Sequence, residues 1–577
     1  MGNKRIKELM MGFSQDQLKS YLDKDILESL LEWNSDEGVY TKAKLIEMIL
    51  TIKGVSTILK DKNFRKELLK RFDPDLFEQY KTILPIEYAD ETDVEKIIES
   101  IISQPWKGSE ITTIVFLGHL GYKVEDIFDI SKKDEKAISQ LKSYGKFYEL
   151  LDYQYIIRQK VLTKLNSDDD LVRLLIHMPT GTGKTKTAMH IISNYFSYSL
   201  MKKGLILWVA HTKELLDQAY ETFCNVWSYI GNGEANIYRN YDNFDVSNEM
   251  EFNGIMICSI QKLIQMPQSN ADLYKILKQD LKLIVYDEAH KAAAEKSKMI
   301  IEDLMTRKGG LLDRSLIGLS ATPGRTSLDS FDNKLLSSMF GDCLISIDTQ
   351  LMNEVNYSRS FALNMEVPRD IIKYFQDRKV LSKVTKEELT YDNDISEDDL
   401  NRMKIVTNRN GYEDFSEDSL KVIAQSKNRN LKILQKLFDL NNKNIPTIVF
   451  ACSVKHAQLL SAMLSVQGVK SVCVFGNMPP NERKAAIERF KNRDNDCNII
   501  INYEVLTTGF DSTNIQCVFI TRPTQSVVLY SQMLGRGLRG PKMGGNETCL
   551  LIDVKDNLTK YDENLAFSYF NNYWGGR

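Results

Sequence analysis

Ten short runs rich in Ile, Val and Leu, falling into two groups of five, constrain what this 577-residue chain can fold into more than any other feature. The first group lies at 172–178, 204–210, 254–259, 281–287 and 315–319, the second at 447–451, 471–475, 498–502, 516–521 and 548–553. None shows the apolar–polar alternation of a strand with one wet face, so each reads as a strand covered on both sides. Helical stretches separate the runs, and strands of that kind alternating with helices make a parallel sheet with helices on its faces. The sequence therefore predicts an α/β protein with two such lobes in tandem, one over 141–330 and one over 331–577.

The parts outside these runs differ in texture. Residues 1–140 carry apolar positions at three- and four-residue spacing, clearest between Leu45 and Leu69, which predicts an all-α accessory domain. That stretch holds 21 basic and 26 acidic residues. Such a balance is a poor footprint for phosphate, so the domain is expected to dock on the rest of the chain or on another protein. A polar segment over 368–430, with the acidic run Asp392, Asp394, Glu397, Asp398 and Asp399, predicts a solvated helical insertion or connector between the lobes. Over the whole chain 75 basic residues face 78 acidic ones, which excludes a global positive field, so any polyanion must be held locally. Eight isolated cysteines with no C-x-x-C pair argue against a zinc module or a disulfide framework. With no apolar run long enough to span a bilayer, the expected location is the cytoplasm and no membrane partner is expected.

Chemistry is concentrated at the ends of the predicted strands. Directly after the run 172–178 comes Met178-Pro179-Thr180-Gly181-Thr182-Gly183-Lys184-Thr185, followed by a helical stretch. The glycines let the backbone turn its N–H groups towards phosphate oxygens. Lys184 can then reach the outer phosphates of a nucleotide, and Thr185 offers a hydroxyl to Mg2+. The run 281–287 ends in Asp287-Glu288-Ala289-His290, which sets two carboxylates at the sheet edge where open α/β folds bind ligands. Asp287 suits the metal, and Glu288 suits orienting and deprotonating an attacking water. Ser320-Ala321-Thr322 follows the run 315–319. In the second lobe, Gln532-Met533-Leu534-Gly535-Arg536-Gly537-Leu538-Arg539 sets two arginines on one side of a predicted helical turn, with Gly535 allowing close approach. Arginines supplied from outside the phosphate-loop lobe are what offsets charge growing on a γ-phosphate.

Taken in order, these pieces resemble the motif set of the superfamily 2 nucleic-acid helicases, in the DExH/DEAH-box branch that includes bacterial DNA translocases and restriction-enzyme motor subunits. Residues 178–185 resemble motif I, with Met178 where the general pattern has Gly; 287–290 resemble motif II, 320–322 motif III and 532–539 motif VI. Weaker pieces also fall in order: 210–218 resemble motif Ia, 259–263 the strand-gripping motif that follows it, 448–453 motif IV and 506–511 motif V. The resemblance spans about 150–555 and leaves 1–140 uncovered.

Membership would imply two RecA-like lobes closing on ATP and Mg2+. Thr180, Gly181, Thr182, Gly183, Lys184, Thr185, Gly509 and Asp511 would hold the nucleotide, with Gln154 reading the adenine and Gln159 competing for that role. Thr185 and Asp287 would hold the metal; Lys184, Asp287, Glu288, Gln532, Arg536 and Arg539 would carry catalysis. His290, Ser320 and Thr322 would couple hydrolysis to strand grip, and Thr212, Ser259, Ser453, Thr507 and Thr508 would hold phosphates without reading bases. The tetrad and 507–511 resemble DNA translocases more than RNA-processing members, so the expected partner is nucleic acid, DNA in preference to RNA. Two other readings stand. One is an RNA helicase; the other is a motor or sensor subunit of a nuclease or anti-phage assembly that does not unwind processively. No nuclease constellation occurs in the sequence, so a nuclease would be a separate chain met through 1–140. Because every residue assigned to chemistry lies downstream, a chain beginning near Gln140 is expected to keep nucleic-acid-stimulated ATPase.

Overall fold

The computed structural model describes residues 2–33, 40–88, 91–128, 136–143, 149–167, 171–247, 249–306, 314–324, 331–347, 371–392, 394–407, 413–476, 478–492, 497–507 and 513–554. In chain order its strands are β1 Ile138–Lys142, β2 Arg173–His177, β3 Leu205–Ala210, β4 Glu234–Asn240, β5 Gly254–Ser259, β6 Leu281–Asp287, β7 Ser315–Ser320 and β8 Leu344–Ser346, then β9 Lys383–Leu389, β10 Ile405–Thr407 and β11 Glu413–Phe415. The series ends with β12 Thr447–Phe450, β13 Ser471–Val474, β14 Ile499–Asn502, β15 Cys517–Ile520 and β16 Thr548–Val554.

All ten apolar runs are strands, and they lie in two sheets. The first has the order β1-β4-β5-β3-β6-β7-β2-β8 and is parallel apart from β1, which pairs antiparallel with β4. The second, β13-β14-β12-β15-β16-β9, is parallel throughout. Every residue of β3 and β5 is buried, as strands with helices on both faces require. In a parallel sheet the C-terminal ends share one edge, so β6, β7 and β2, three neighbours, deliver Asp287, Ser320 and the 178–183 loop side by side.

Two expectations need correction. The first sheet extends beyond 141–330 on both sides, from Ile138 in β1 to Ser346 in β8. The segment 368–430 is mixed rather than helical. It holds the helices Ile371–Asp377, Glu397–Asn401 and Glu417–Gln425, but also the β10–β11 pair and β9, which closes one edge of the second sheet. Its sequence, Lys-Val-Thr-Lys-Glu-Glu-Leu, is polar because an edge strand needs one partner and leaves side chains in water; charge is common on such edges.

Residues 2–128 are helical where described, and they do not form a separate body. The helix Lys42–Lys53 buries Leu45, Ile46, Met48, Ile49 and Ile52, and packs against the helix Val454–Val466 of the second lobe. Their side chains belong to one continuous core that also takes in Phe64, Phe116, Val449, Leu460 and Ile501. At the margin, Lys455 pairs with Asp25 at 2.7 Å, and Asn481 Nδ2 donates to the Asp126 carbonyl at 3.0 Å. The helical domain is thus fused to one face of the second lobe by apolar packing.

Candidate active site between the lobes

The loop after β2 is held open by two glycines in the left-handed region, Gly181 at φ 86° and Gly183 at φ 82°, and runs straight into the helix Lys184–Asn194. Backbone N–H groups at such a helix start converge on an anion. Thr182 is buried and its hydroxyl donates to the Pro179 carbonyl at 2.7 Å, locking the loop from inside. Lys184 Nζ lies 3.4 Å from the Met178 carbonyl, folded back over the loop, while Thr185 is half-buried in the first helical turn. Gln154 is buried against the same loop: its Nε2 donates to the Thr182 carbonyl at 2.9 Å and its Oε1 accepts from Leu151 N at 3.0 Å. Gln159 points away, exposed, and bonds the Tyr155 hydroxyl. Tyr153, which the sequence did not single out, donates to the same Thr182 carbonyl at 2.8 Å. Its only sequence signal is its place beside Gln154.

At the end of β6 both carboxylates are nearly inaccessible, Asp287 at 4% and Glu288 at 8% exposure. Asp287 Oδ1 accepts from Glu288 N at 3.0 Å. Burial, and then the neighbouring Glu288 charge, push the Asp287 carboxyl above the usual range. Burial pushes the Lys184 ammonium down, while Glu288 and Asp287 hold it up and Arg536 adds to the lowering. These groups therefore feel one another in a largely buried cleft.

The polar chain continues across the lobe interface. Ser320 Oγ gives its proton to the Thr322 carbonyl at 2.6 Å and accepts from Thr322 N at 3.1 Å. At 3.2 Å from His290 Nδ1 it therefore accepts again, which leaves His290 Nε2 to accept from Gln532 Nε2 at 3.5 Å. His290 Nδ1 also lies 3.3 Å from Glu288 Oε2, so Glu288, His290 and Gln532 form a buried line from one lobe to the other.

The arginines come from beyond a helix, not along it as the sequence suggested. The helix Val527–Leu534 ends with Gly535 as its cap, so Arg536 and Arg539 lie on the turn that follows. The reason is steric. A Cβ at Gly535 would sit 2.5 Å from Thr180, and one at Gly537 would sit 2.4 Å from Cys549 Sγ, so the chain leaves the helix where two side-chain-free residues can pass close neighbours. Arg539 bridges to Leu381, and its Cγ lies 3.5 Å from where a Cβ on Gly181 would be. Thus the arginine turn of the second lobe rests directly on the phosphate loop of the first.

Three of the proposed strand-gripping residues cap helices. The hydroxyls of Thr212, Ser259 and Ser453 accept from Leu215 N, Lys262 N and His456 N at 3.4, 3.2 and 3.1 Å, at the starts of helices that follow β3, β5 and β12. A capping hydroxyl accepts through its lone pairs and keeps an O–H able to donate to a further acceptor. Thr507 is nearly buried and donates to the Glu504 carbonyl at 2.7 Å. Thr508, Gly509 and Asp511 lie outside the described residues.

Comparison with known proteins agrees with this geometry. Residues 147–325 match the family described as type III restriction enzyme, res subunit, and residues 429–540 match the helicase conserved C-terminal domain. The chain belongs to superfamily 2 of the helicases. Among its relatives in that superfamily, the protein named ATP-dependent helicase IRC3 of Saccharomyces cerevisiae is 26% identical over 377 residues, 64% of this chain and 46% of that protein. The protein named mitochondrial ATP-dependent helicase irc3 of Schizosaccharomyces pombe is 25% identical, covering 68% of this chain and 55% of its own length. The type I restriction enzyme EcoAI endonuclease subunit of Escherichia coli is 24% identical over 66% of this chain and 43% of that subunit. The superfamily 2 chain described here thus spans about half the length of these relatives. No described helix is long and apolar enough to cross a membrane.

Proposed function

We propose that the chain hydrolyses ATP between its lobes and uses the cycle to move along nucleic acid, DNA in preference to RNA. The observation that carries this reading is the seating of the Arg536–Arg539 turn on the phosphate loop, with Gln532 in line with His290 and Glu288. A site completed only when two lobes meet makes hydrolysis depend on closure, and closure is a displacement that can do work on a strand lying across both lobes.

The residues present fit a nucleotide-borne Mg2+. Thr185 and Asp287 are hard oxygen donors, and the raised Asp287 carboxyl beside Glu288 is a pair that a cation would relieve. Among the described residues no group of three or more His, Cys, Asp or Glu could hold an ion by itself, so phosphates and water would complete its shell. When bound, the ion screens phosphate charge. Lys184 then holds the outer phosphates, Glu288 takes the proton from the attacking water, and Arg536 and Arg539 offset the charge on the transferring group. Gln154 would read the adenine edge. Preference for DNA is supported by the restriction-subunit relative, and a nuclease acting in trans is compatible with that kinship.

The test is ATP turnover with single-stranded, forked and duplex DNA and with RNA, beside an unwinding assay. Stimulation by DNA with strand displacement or directional movement is the expected result. Stimulation without movement would favour a sensor or motor subunit, and stimulation by RNA alone an RNA helicase.

A further inference from the structure

Glu288 occupies the left-handed region, φ 52° and ψ 54°, in a residue that is not glycine. That conformation costs energy for an L-residue and persists only where the surroundings over-determine it. Two positions earlier, Tyr286 is fully buried in β6, paired with Val209 of β3 on one side and Gly318 of β7 on the other. Its hydroxyl shares a hydrogen bond with His211 Nε2 at 2.8 Å, the two rings meeting edge-on with centroids 5.9 Å apart.

His211 stands between the strand-gripping caps. The next residue, Thr212, caps the helix Lys213–Ile230; the His211 carbonyl accepts from Gln261 Nε2 at 3.2 Å, and Gln261 belongs to the helix that Ser259 caps. A phosphate pulling on either cap therefore acts on the His211 backbone, and the ring passes that displacement to the strand that ends in Asp287, directly before Glu288. Burial holds the His211 ring near pKa 3, with Lys291 and His290 adding to the lowering, so the ring is neutral at working pH and the link is geometric.

We propose that His211 and Tyr286 are positioning residues that link a nucleic-acid strand held at Thr212 and Ser259 to the orientation of Glu288. This rests on the strand-stimulated ATPase proposed above. In that role they act within the first lobe, beside the interlobe line through His290 and Gln532.

The experiment compares the full chain with Tyr286→Phe, His211→Ala, His211→Gln and the Tyr286→Phe/His211→Ala double variant. It measures ATP turnover with and without single-stranded DNA, binding of a fluorescent ATP analogue, strand binding by anisotropy, and a melt. The expected result is nucleotide and strand affinities within about threefold of the parent, with stimulated kcat lower by about tenfold or more. The double variant should be no worse than the worse single one, as for two ends of one link, and His211→Gln should recover part of the loss. Unchanged stimulated kcat in Tyr286→Phe would overturn the link, as would additive losses or a Gln variant as impaired as Ala. If His211→Ala does not melt cooperatively, Tyr286→Phe, which removes one oxygen and keeps the buried ring, decides alone. A parent that no nucleic acid stimulates would overturn the function reading itself, and the link with it; a stimulated parent with unaffected variants overturns only the link.

Discussion

Glu288 sits 8% exposed, 3.3 Å from His290, beside a carboxylate suited to the metal. Replacing it with Gln keeps volume and hydrogen bonding but removes the base, so Glu288→Gln should bind nucleotide normally and lose about 10²- to 10⁴-fold in turnover, read from steady-state kinetics beside nucleotide titration. An unaltered kcat would exclude Glu288 as the base. Arg536→Ala and Arg539→Ala should likewise spare affinity while costing about 10³- to 10⁵-fold in kcat, the range for arginine fingers. A pure loss of affinity would make these side chains nucleotide holders instead. Both predictions follow from residues legible in the sequence. What was not legible is Gly535, whose missing Cβ lets Thr180 approach, since a contact between residues 355 positions apart has no local pattern.

One helix joins three parts of the molecule. In Pro480–Lys491, Asn481 and Glu482 face the helical domain, and Arg483 Nη1 meets Glu214 Oε1 of the first lobe at 3.0 Å. Glu482 accepts from Ser56 N and from Thr57 N, the latter at 3.1 Å. Burial raises the Glu482 carboxyl above its ordinary range, while these backbone donors pull it back. Glu482→Ala leaves the Ser56 and Thr57 N–H groups without this acceptor; Ser56 is buried, and one unsatisfied buried group costs about 1–3 kcal/mol. The expected outcome is an earlier urea transition, with faster proteolytic release of the helical domain. Gly54→Ala tests the same contact from the other side: at φ 73° an alanine is strained, and its Cβ would lie 2.4 Å from Glu482 Oε2. A melt and cleavage pattern matching the parent in both variants would show that the contact contributes nothing.

For the molecule as a whole, His177, His190, His211 and His456 are held down to about 3, chiefly by burial. His456 shows the neutral ring directly: Nδ1 accepts from Cys452 N at 3.1 Å, so Nε2 carries the proton given to Asn430 Oδ1 at 2.9 Å. Unfolded histidines take up protons near pH 6.5, whereas these native ones stay neutral. Below about pH 6.5 the unfolded chain therefore binds more protons, and stability should fall steadily from there towards pH 3 while staying flat in this respect above neutrality. Thermal melts at pH 7.5, 6 and 5 check this; constant stability down to pH 5 would contradict it. The shared core also reverses one expectation. Removing residues before Gln140 uncovers Val449, Leu460, Met463 and their neighbours, so the shortened chain is expected to aggregate or lose its cooperative melt, not to survive as an active motor. Soluble, cooperatively melting truncated protein with stimulated ATPase would restore the earlier view.

The two parallel sheets were legible in the residues, because strands buried on both faces leave continuous apolar runs, and so were the phosphate-loop, carboxylate and arginine candidates, because such chemistry needs fixed residue types at short spacing. The sequence did not reveal β9, whose polar edge sequence resembles a solvated connector, or the fusion of the helical domain to the second lobe, since an amphipathic helix does not say which apolar face will cover it. Tertiary packing set Gln154 against the phosphate loop and left Gln159 exposed, placed Arg536 and Arg539 beyond their helix, and brought Tyr286 to His211. Each of those depends on contacts between segments far apart in the chain, set by how the elements pack and not by any local period.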